Sequence, residues 1–291
     1  MTEPVPALFD QPALARNLAR ACAKGQLPPF WETIAVAELV DRLQLIKRQF
    51  NHVGLVSLAP AGLEAAIRPA LPAGAEVSCL PVFDANGLTL ESPRLEPESL
   101  DCLLVTAGLE WVNDLPGTLS LLRRALKPDG LLLAAMLGGE TFTELRQAWL
   151  AAEAAVSAGA SPRVAPFVDV RDAGGLLQRA GLALPVADTD RLAVRYRNAL
   201  SLMRELKSLG LANALADRRR GLTPPGLLAA ACAAYHDAHA DADGRVRATV
   251  QMLYLTGWSP HESQQKPLRP GSATTSLADA LNVAERKLPR G

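Results

Sequence analysis

The 291-residue sequence has only four cysteines and no excess of either charge. Its cysteines are far apart and show no paired CxxC spacing, so a disulfide framework and a zinc site have little support, and we expect reduced thiols and no metal. Lysine plus arginine equals aspartate plus glutamate, at 30 each. This balance favours neither nucleic acid nor an anionic membrane surface, so we expect a small-molecule or protein partner.

Long apolar runs are also missing, because no uninterrupted one reaches about 18 residues, the length of a membrane-spanning helix. The opening "MTEPVPALFD" lacks the basic and apolar regions of a secretory signal and the arginine-rich character of a transit peptide. We therefore expect a cytoplasmic protein with no integral membrane segment. With 49% hydrophobic residues, a chain of this length can bury a sizeable core.

Short apolar runs are present instead, in a pattern typical of buried parallel strands. They are "HVGLVSL", "EVSCLPV", "LDCLLVT" and "LLLAAML". Helical patterns lie between most of them. Pro116 is placed just inside one helix, and "KPDG" at 127–130 indicates a turn before the next strand. The alternation predicts a doubly wound, mostly parallel α/β sheet.

The remaining chain predicts additions to this sheet. We expect an N-terminal helical region over 1–50, an α/β domain over 51–260 with a helical insertion at about 198–240, and a C-terminal strap and tail over 261–291. The late strand "RVRATVQMLYLTGW" should lie antiparallel at or near an edge. "LALPVAD" predicts a separate short strand after Gly181, which can end the preceding helix. Thr141 and Glu144 have capping-box spacing.

Several stretches are distinctive enough to carry a resemblance. They are "LEWVNDLPGTLSLLRRALKPDGLLLAAMLGGETFTELR", "GASPRVAPFVDVRDAGGLLQRAGLALPVADTD" and "TGWSPHESQQKPLRPGSA". Over about residues 100–280 the chain resembles the family of mitochondrial complex I assembly factor 5 and its alphaproteobacterial relatives. The GGET and QQKP stretches are the most specific parts of this match.

The resemblance implies a Rossmann-like class I S-adenosylmethionine-dependent methyltransferase fold, related to the malonyl carrier-protein methyltransferase of biotin synthesis. Mitochondrial members of the family are assigned hydroxylation of an arginine on a complex I subunit. The implied cofactor is S-adenosylmethionine, and the implied partner is a protein such as a respiratory complex subunit. The fold does not by itself guarantee methyl transfer.

The first strand and its loop, "HVGLVSLAPAG", are poor in glycine for such a fold. A cofactor loop needs an acid at the strand end and glycines that let backbone amides approach the ligand. Ser57 stands where the acid is expected, Ala59 and Pro60 crowd the turn, and only Gly62 remains. The loop is either a divergent cofactor site or a turn kept only for the fold. In the second case no acid should replace the missing one, and Glu64 should point away.

Two further cofactor contacts are predicted at strand ends. Asp84 follows the second strand and would accept hydrogen bonds from ribose hydroxyls, although an ordinary Asx-turn explains it equally well. Glu110 and Trp111 follow "LDCLLVT" and should line the crevice. Trp111 could equally pack under the next helix. Asn113 and Asp114 are interpreted as helix caps.

The polar stretch "HESQQKP" is too polar for the core, and we place it on the substrate or partner side of the sheet. Its alternative is a strap over the sheet edge. Residues 161–172 and 258–272 are expected to form one exposed surface facing the crevice. The predicted substrate or partner residues are Arg163, Arg171, Trp258, Gln264, Gln265 and Lys266.

Two classes of function follow. The chain is either an S-adenosylmethionine-dependent enzyme that acts on a protein side chain or a carboxylate, or a catalytically silent relative that binds a partner as an assembly factor. The loop at 57–62 separates them, because only a competent site needs space there.

Overall fold

The computed structural model describes residues 7–84, 86–156, 159–265 and Ser272. Its α-helices within these residues are α1 (Gln11–Ala23), α2 (Phe30–Leu45), α3 (Pro60–Ile67), α4 (Leu115–Ala125), α5 (Thr143–Val156), α6 (Val170–Arg179), α7 (Ala199–Ser208) and α8 (Pro225–His239). Its strands are β1 (His52–Ser57), β2 (Glu76–Pro81), β3 (Leu100–Val105), β4 (Leu126–Leu137), β5 (Ala183–Tyr196) and β6 (Val246–Trp258).

The described strands form one sheet in the order β2-β1-β3-β4-β6-β5. β1 pairs in parallel with β2 and β3, and β3 pairs in parallel with β4. β6 is antiparallel to both β4 and β5. The predicted α/β class is therefore confirmed, including the strand assignment of "LLLAAML" within β4 and the late antiparallel strand next to the edge.

Both faces of the sheet are covered by helices, as buried parallel strands require. Alternate residues of β4 show this directly. Leu131 and Leu133 face the layer that contains α2, α3, α5, α7 and α8. Leu132 and Ala134 face the layer that contains α1, α4 and α6. The N-terminal helices α1 and α2 thus lie on opposite faces, and the ends of the central strands lie between them.

Two local expectations are wrong. "LALPVAD" does not form a separate short strand, because β5 is one long strand paired with β6 through Tyr196, with an irregularity between Ala183 and Val186. The capping box is also absent. The Thr141 hydroxyl donates to the Gln251 carbonyl, and Glu144 accepts from Thr249, so both side chains bind β6 instead of capping α5.

Other local features match their sequence signals. Gly181, at φ 79°, follows α6 in the left-handed conformation expected of a helix-ending glycine. The "KPDG" segment does not match, because it is part of β4 and not a turn before it. Asp129, at φ 62°, makes the strand irregular there, and the pairing register between β3 and β4 shifts. Between β2 and β3 the described chain contains a 3-10 turn, Thr89–Glu91, and no α-helix.

The chain divides into two compact units, one ending at Pro260 and one beginning at His261. In the second, residues 261–265 and Ser272 are described, and the His261 ring lies 2.7 Å from the Ser263 hydroxyl. Among the described helices, none has both the length and the apolar character needed to span a bilayer.

Candidate functional site

The sheet reverses its direction of winding between β1 and β3. From β1 the chain continues to β2 on one side, whereas β3 leads to β4 on the other. Open α/β sheets bind ligands in the crevice outside such a switch point. Ser57 ends β1, and Thr106 follows β3. The Thr106 amide donates to the Val56 carbonyl at 2.9 Å, which holds the two strand ends together.

A carboxylate of the protein itself lies at this switch point. One oxygen of Glu32, Oε1, accepts hydrogen bonds from the Ser57 hydroxyl at 2.7 Å, the Leu58 amide at 2.8 Å and the Thr106 hydroxyl at 2.7 Å. Glu32 is 1% exposed. Its other oxygen, Oε2, is buried without a hydrogen-bond partner. A turn kept only for the fold was expected to have no acid in place of the one missing at position 57, and Glu32 contradicts that expectation.

Helix α2 brings Glu32 to this position. Glu32 shares a buried helix face with Ala35, Leu39 and Leu43, which follow it at helical spacing and pack onto the sheet. Burial raises the pKa of Glu32, and the donors of Ser57, Thr106 and Leu58 oppose the rise. The apolar packing of α2 thus supplies the energy that keeps a carboxylate out of water.

The distinctive "GGETF" stretch contacts the start of α2. The Phe142 ring packs edge-to-face on Trp31, with ring centroids 6.4 Å apart. Phe142 has a positive φ of 54°, and its amide donates to the Thr249 carbonyl at 2.8 Å. A left-handed non-glycine residue is strained, and such strain concentrates at functional sites. This stretch therefore fixes the beginning of α2, directly before Glu32.

Glu110 is a second buried carboxyl beside the switch point. It lies in the 3-10 turn Leu109–Trp111, and one of its oxygens accepts from the Gly108 amide at 3.1 Å. Burial raises the pKa of Glu110 to about 8, and the Glu32 charge contributes to the rise. Glu110 is therefore protonated at neutral pH and can exchange its proton near pH 8.

The loop after β1 does not fit the amino-acid part of S-adenosylmethionine in this arrangement. The Leu58 amide is bonded to Glu32, and the Ala59 amide donates to the Ser57 hydroxyl at 3.0 Å. Pro60 begins α3 and has no N–H to donate. The amides of Leu58 and Ala59 are therefore engaged within the protein, and position 60 has no amide to donate. Gly62 lies within α3 instead of in an open loop.

The alternative acid, Glu64, is turned to its own helix. Its carboxylate accepts from the Arg68 guanidinium at 2.5 Å and lies 3.9 Å from the Cys79 thiol. It therefore faces away from the end of β1, as expected. The group that closes the end of β1 is Glu32, which comes from another helix.

Asp84 lies at the end of β2 in a cleft of about 510 Å³. Its carboxylate accepts from the Asn86 amide at 2.7 Å, and its own amide donates to the Gly87 carbonyl, so it forms an Asx-turn. The residue is exposed. The local turn explains the aspartate without a ligand, although its position at a strand end is also compatible with a ribose contact.

Trp111 and Arg163 are brought together by the fold. Both line an apolar cavity of about 100 Å³ beyond the carboxyl ends of β3 and β4. Trp111 is 4% exposed and packs in the layer of α4, so it both packs in the core and borders a cavity. Asp114 caps α4 by accepting from the Gly117 amide, as expected, whereas Asn113 pairs with the backbone of Phe9.

Residues 161–172 and 258–272 were expected to form one surface. Those of them that the structure describes within the first unit do not lie together. The Gly139 amide donates to Val168, so the first segment lies at the carboxyl edge of the sheet. Trp258 pairs with Leu131 near the beginning of β4, with the Arg48 guanidinium 5.8 Å from its ring centroid. Trp258 therefore lies at the opposite ends of the strands, because β6 runs antiparallel to β4 along its length.

The other predicted substrate or partner residues are Arg171 in the first unit and three residues that follow Pro260. Arg171 is exposed in the first turn of α6, where its amide donates to Asp169. Gln264 and Gln265 lie in the second unit, and the Gln264 amide donates to the His261 carbonyl at 3.2 Å. Lys266 is outside the described residues.

Sequence reasoning missed Glu32 and Thr106. The available signal for Glu32 was a charged residue at helical spacing with three apolar residues on the buried face of α2. Buried glutamates are rare unless they are paired or hydrogen-bonded. Such a residue therefore predicts a polar contact inside the fold, although it does not reveal which strand end provides the donors.

Comparisons with known proteins agree with this architecture. A family model described as a methyltransferase domain matches residues 42–134. The chain is 41% identical over 193 residues to the human mitochondrial arginine-hydroxylase NDUFAF5, covering 66% of this chain and 55% of that protein. It is 40% identical over 187 residues to the Danio rerio protein of the same name, covering 64% of this chain and 58% of that one. The chain thus spans about half the length of these curated relatives.

A bacterial enzyme is matched over a larger share of its length. The malonyl-[acyl-carrier protein] O-methyltransferase of Laribacter hongkongensis is 35% identical over 222 residues, which cover 74% of this chain and 70% of that enzyme. Among solved structures, the YcgJ protein of Bacillus subtilis has the same fold, with a TM-score of 0.50 at 13% identity over 79% of this chain and 99% of that one. The parallel sheet, its switch point and these similarities show that the chain belongs to the class I methyltransferase family of the NDUFAF5 arginine hydroxylases and malonyl-[acyl-carrier protein] O-methyltransferases.

Proposed function

We propose that this chain is an assembly factor for respiratory complex I that binds a protein partner without using S-adenosylmethionine. One observation carries the proposal: Glu32 fills the switch point and takes the donors of Ser57, Leu58 and Thr106. A side chain bonded in this way competes with any ligand that needs the Leu58 amide or the two hydroxyls. The methyltransferase fold then serves as a scaffold for binding.

The choice of partner rests on similarity. The sequence resemblance is to complex I assembly factors, and the curated relatives at about 40% identity are named arginine hydroxylases. For relatives named arginine hydroxylases, the expected partner is a protein that carries the arginine to be hydroxylated. The chain has no excess charge that would favour a nucleic acid.

A second candidate function is methyl transfer to a carboxylate. The free Oε2 of Glu32 favours it, because an unpartnered buried carboxylate oxygen could hold the cofactor's ammonium group in place of the acid missing at Ser57. The match to a malonyl-[acyl-carrier protein] O-methyltransferase supports the same substrate class. In this alternative, removing the Glu32 charge weakens S-adenosylmethionine binding, whereas in the first there is no binding to weaken.

Complementation tests the proposed function. A strain that lacks this chain is supplied with the wild type or with Asp84→Arg, and assembled complex I is measured on native gels together with NADH oxidation by membranes. Asp84 is exposed and outside the core. An arginine there places a cation where a cofactor ribose would lie and repels the positively charged sulfonium.

We expect wild type and Asp84→Arg to restore complex I equally. If the folded Asp84→Arg protein fails while the wild type succeeds, the cofactor is required and the enzyme function is correct. If the wild type also leaves complex I unchanged relative to the deletion, the assembly role is wrong. Circular dichroism and the melting temperature of each protein establish that it is folded.

A further inference from the structure

A basic cleft lies between α1 and α7, with a volume of about 250 Å³. Four cations line it, two from the end of α1 and two from α7, namely Arg20, Lys24, Arg204 and Lys207. Its described lining contains no aspartate or glutamate. Because the chain as a whole has no net charge, this cleft is a local concentration of positive charge.

The protein's own carboxylates do not neutralise these cations. In the part of the chain that the structure describes, none of the four forms an ion pair. The sequence has no acidic residue between Asp10 and Glu32. The one carboxylate of α7, Glu205, faces Tyr196 on β5, where burial and this carboxylate raise the pKa of the tyrosine hydroxyl. The positive charge of the basic cleft is therefore open to an anionic partner.

The two helices are joined firmly at this cleft. The Asn17 side-chain amide in α1 donates to the Ala212 carbonyl at 3.2 Å. Directly after α7, a Cβ at Gly210 would lie 3.0 Å from the Asn17 carbonyl oxygen, so the two backbones are in close contact. The cations of both helices are thus presented from one rigid part of the fold.

Each helix presents its pair of cations about one turn apart. Arg20 precedes Lys24 by four residues, and Arg204 precedes Lys207 by three. Like charges at this spacing destabilise a helix, and an anionic partner removes that cost. Cations near a helix C-terminus also stabilise the helix dipole, which is the alternative role of Arg20 and Lys207 in the last turns. That alternative predicts an effect on stability and none on binding.

The lining also selects among anionic partners. It has no aromatic ring on which bases could stack, and its only apolar side chains are alanines, which cannot anchor a membrane surface. All four cations are exposed, and the Asn17 amide and Ser208 hydroxyl are bonded within the protein. No buried donor of the described lining is left to hold a single small anion. Long cationic side chains on two helices suit several carboxylates spread over a protein surface.

We propose that the basic cleft docks an acidic segment of a protein partner, whose aspartate or glutamate side chains contact both α1 and α7. The inference rests on the proposed function, because it names the surface and the charge of the protein that the chain binds. None of Glu32, Ser57 and Thr106 lines the cleft. Charge complementarity of this kind accelerates association and makes binding sensitive to salt.

Fluorescence anisotropy with the full chain tests the charge preference. The probe is a labelled peptide of alternating glutamate and alanine, and its neutral match has glutamine in place of glutamate. We expect the glutamate peptide to bind at least about tenfold more tightly at low salt. This preference should shrink as the ionic strength rises to about 0.5 M, because exposed charges are screened. Equal binding of the two peptides at low salt would overturn the proposal.

Two double variants with the same change in net charge locate the effect. Arg20→Glu with Lys207→Glu reverses one cation on each helix of the cleft and should weaken binding of the glutamate peptide at least about tenfold. The control is Arg124→Glu with Arg179→Glu, because these exposed arginines also lie in the last turns of their helices, α4 and α6. It should bind the peptide as the wild type does. Equal losses in the two variants would contradict docking at the basic cleft.

Melting temperatures separate docking from a role in the helix ends. A cleft variant that melts at a lower temperature but binds the glutamate peptide like the wild type would show the structural role and contradict the proposal. If the charge reversal prevents folding, Arg20→Gln with Lys207→Gln removes the two charges more mildly and should still weaken binding.

Other anions are tested as competing partners of the same cleft. Oligothymidylate represents a nucleic acid, and vesicles of phosphatidylcholine with phosphatidylserine represent a membrane. Both should bind the wild type more weakly than the glutamate peptide does. Tighter binding of either one, abolished in the cleft variant, would assign the cleft to that partner and overturn the proposal.

Complementation distinguishes this inference from the proposed function. We expect the cleft variant to restore less complex I than the wild type, and the control variant to restore it fully. If the wild type and the cleft variant restore it equally, the cleft is not the docking surface, although the assembly role stands. If the wild type leaves complex I unchanged but binds the glutamate peptide through the cleft, the assembly role is wrong and the docking surface stands.

Discussion

Among single residues, Glu32 determines which hydrogen-bond donors of the crevice are already bonded. Its carboxylate connects the ends of β1 and β3 through Ser57, Leu58 and Thr106. In the proposed function, these contacts occupy the strand ends where a strand-end acid and a glycine-rich loop would bind a cofactor. The serine at position 57 is consistent with this arrangement, because an aspartate there would face the buried carboxylate of Glu32 at close range.

Removing the Glu32 carboxylate should destabilise the fold. Glu32→Leu leaves the Ser57 hydroxyl and the Leu58 amide without their acceptor, and the Thr106 hydroxyl keeps only the Val56 carbonyl at 3.3 Å. We expect the free energy of unfolding to fall by about 2–4 kcal/mol. Glu32→Gln keeps an acceptor oxygen and should lose less. Urea denaturation measures both. Asp41→Leu, an exposed position on the same helix, is the control and should change stability by no more than about 0.5 kcal/mol. Equal losses for the Leu variants at 32 and 41 would contradict the role of Glu32.

Glu110 should make stability depend on pH. Its pKa is raised from 4.5 to about 8 in the folded chain. Between these values the unfolded state loses its proton while the folded state keeps it, so the stabilisation present below pH 4.5 is lost as the pH rises through 8. The slope from this group is about 1.4 kcal/mol per pH unit.

Denaturation at pH 5, 6, 7 and 8 tests this dependence. Glu110→Gln, which is neutral at every pH, should flatten the slope and be more stable than the wild type at pH 8. Part of the slope should remain, because the pKa of Glu32 is also raised. A variant whose slope equals that of the wild type would show that Glu110 is not buried as an acid.

The sequence predicted some of these residues and could not predict others. Ser57 and Glu110 were found because strand ends are visible as the limits of apolar runs. Glu32 was not found because its partners lie 25 and 74 residues away, and helical periodicity shows which face is buried but not what that face meets. Trp258 was misplaced because the pattern of an antiparallel strand does not reveal which end reaches the crevice.

At the scale of elements, α7 shows how a tight approach depends on one glycine. Gly210 follows α7 with a φ of 81°, and a Cβ there would lie 3.0 Å from the Asn17 carbonyl oxygen and from the Leu18 Cα in α1. Both backbone conformation and space therefore require glycine. This contact holds α7 against α1, and the chain after α7 then continues along the cavity lined by Leu211 and Leu215.

Two glycine-to-alanine substitutions should change stability in opposite directions. Gly210→Ala combines a left-handed conformation with a backbone clash and should cost about 2–4 kcal/mol. Gly62→Ala lies inside α3, where a Cβ would meet nothing within 4 Å, and should stabilise the chain by about 0.5–1 kcal/mol. Thermal denaturation of the two variants measures this. A destabilising Gly62→Ala would indicate that position 62 is not an ordinary helical residue.

Elements were predicted well where their signal is local. The central strands, the cap at Gly181 and the cap at Asp114 follow from apolar periodicity and terminal residues. The capping box at Thr141 and Glu144 failed because β6 offers both side chains stronger partners. The division of β5 failed because pairing with β6 carries the strand across the irregularity near Val186.

For the whole molecule, family membership indicates a cofactor-binding site, whereas the contacts of Glu32 in the crevice indicate that the site is occupied by the protein itself. The chain belongs to a methyltransferase family, yet the switch point of its sheet is filled by Glu32. In the proposed function, the sheet order preserves the position of a cofactor site whose donors are bonded to Glu32. The basic cleft between α1 and α7 does not include the loop at 57–62.

Titration calorimetry of the wild-type chain with S-adenosylmethionine shows whether the crevice filled by Glu32 still binds the cofactor. Lost amide and carboxylate contacts each remove on the order of 1–3 kcal/mol, so we expect a dissociation constant no better than about 1 mM, or roughly 4 kcal/mol of binding free energy. Glu32→Gln in the same titration separates the two candidate functions. Micromolar binding by the wild type, weakened in Glu32→Gln, would contradict a closed crevice and show that Glu32 is the acid that holds the cofactor.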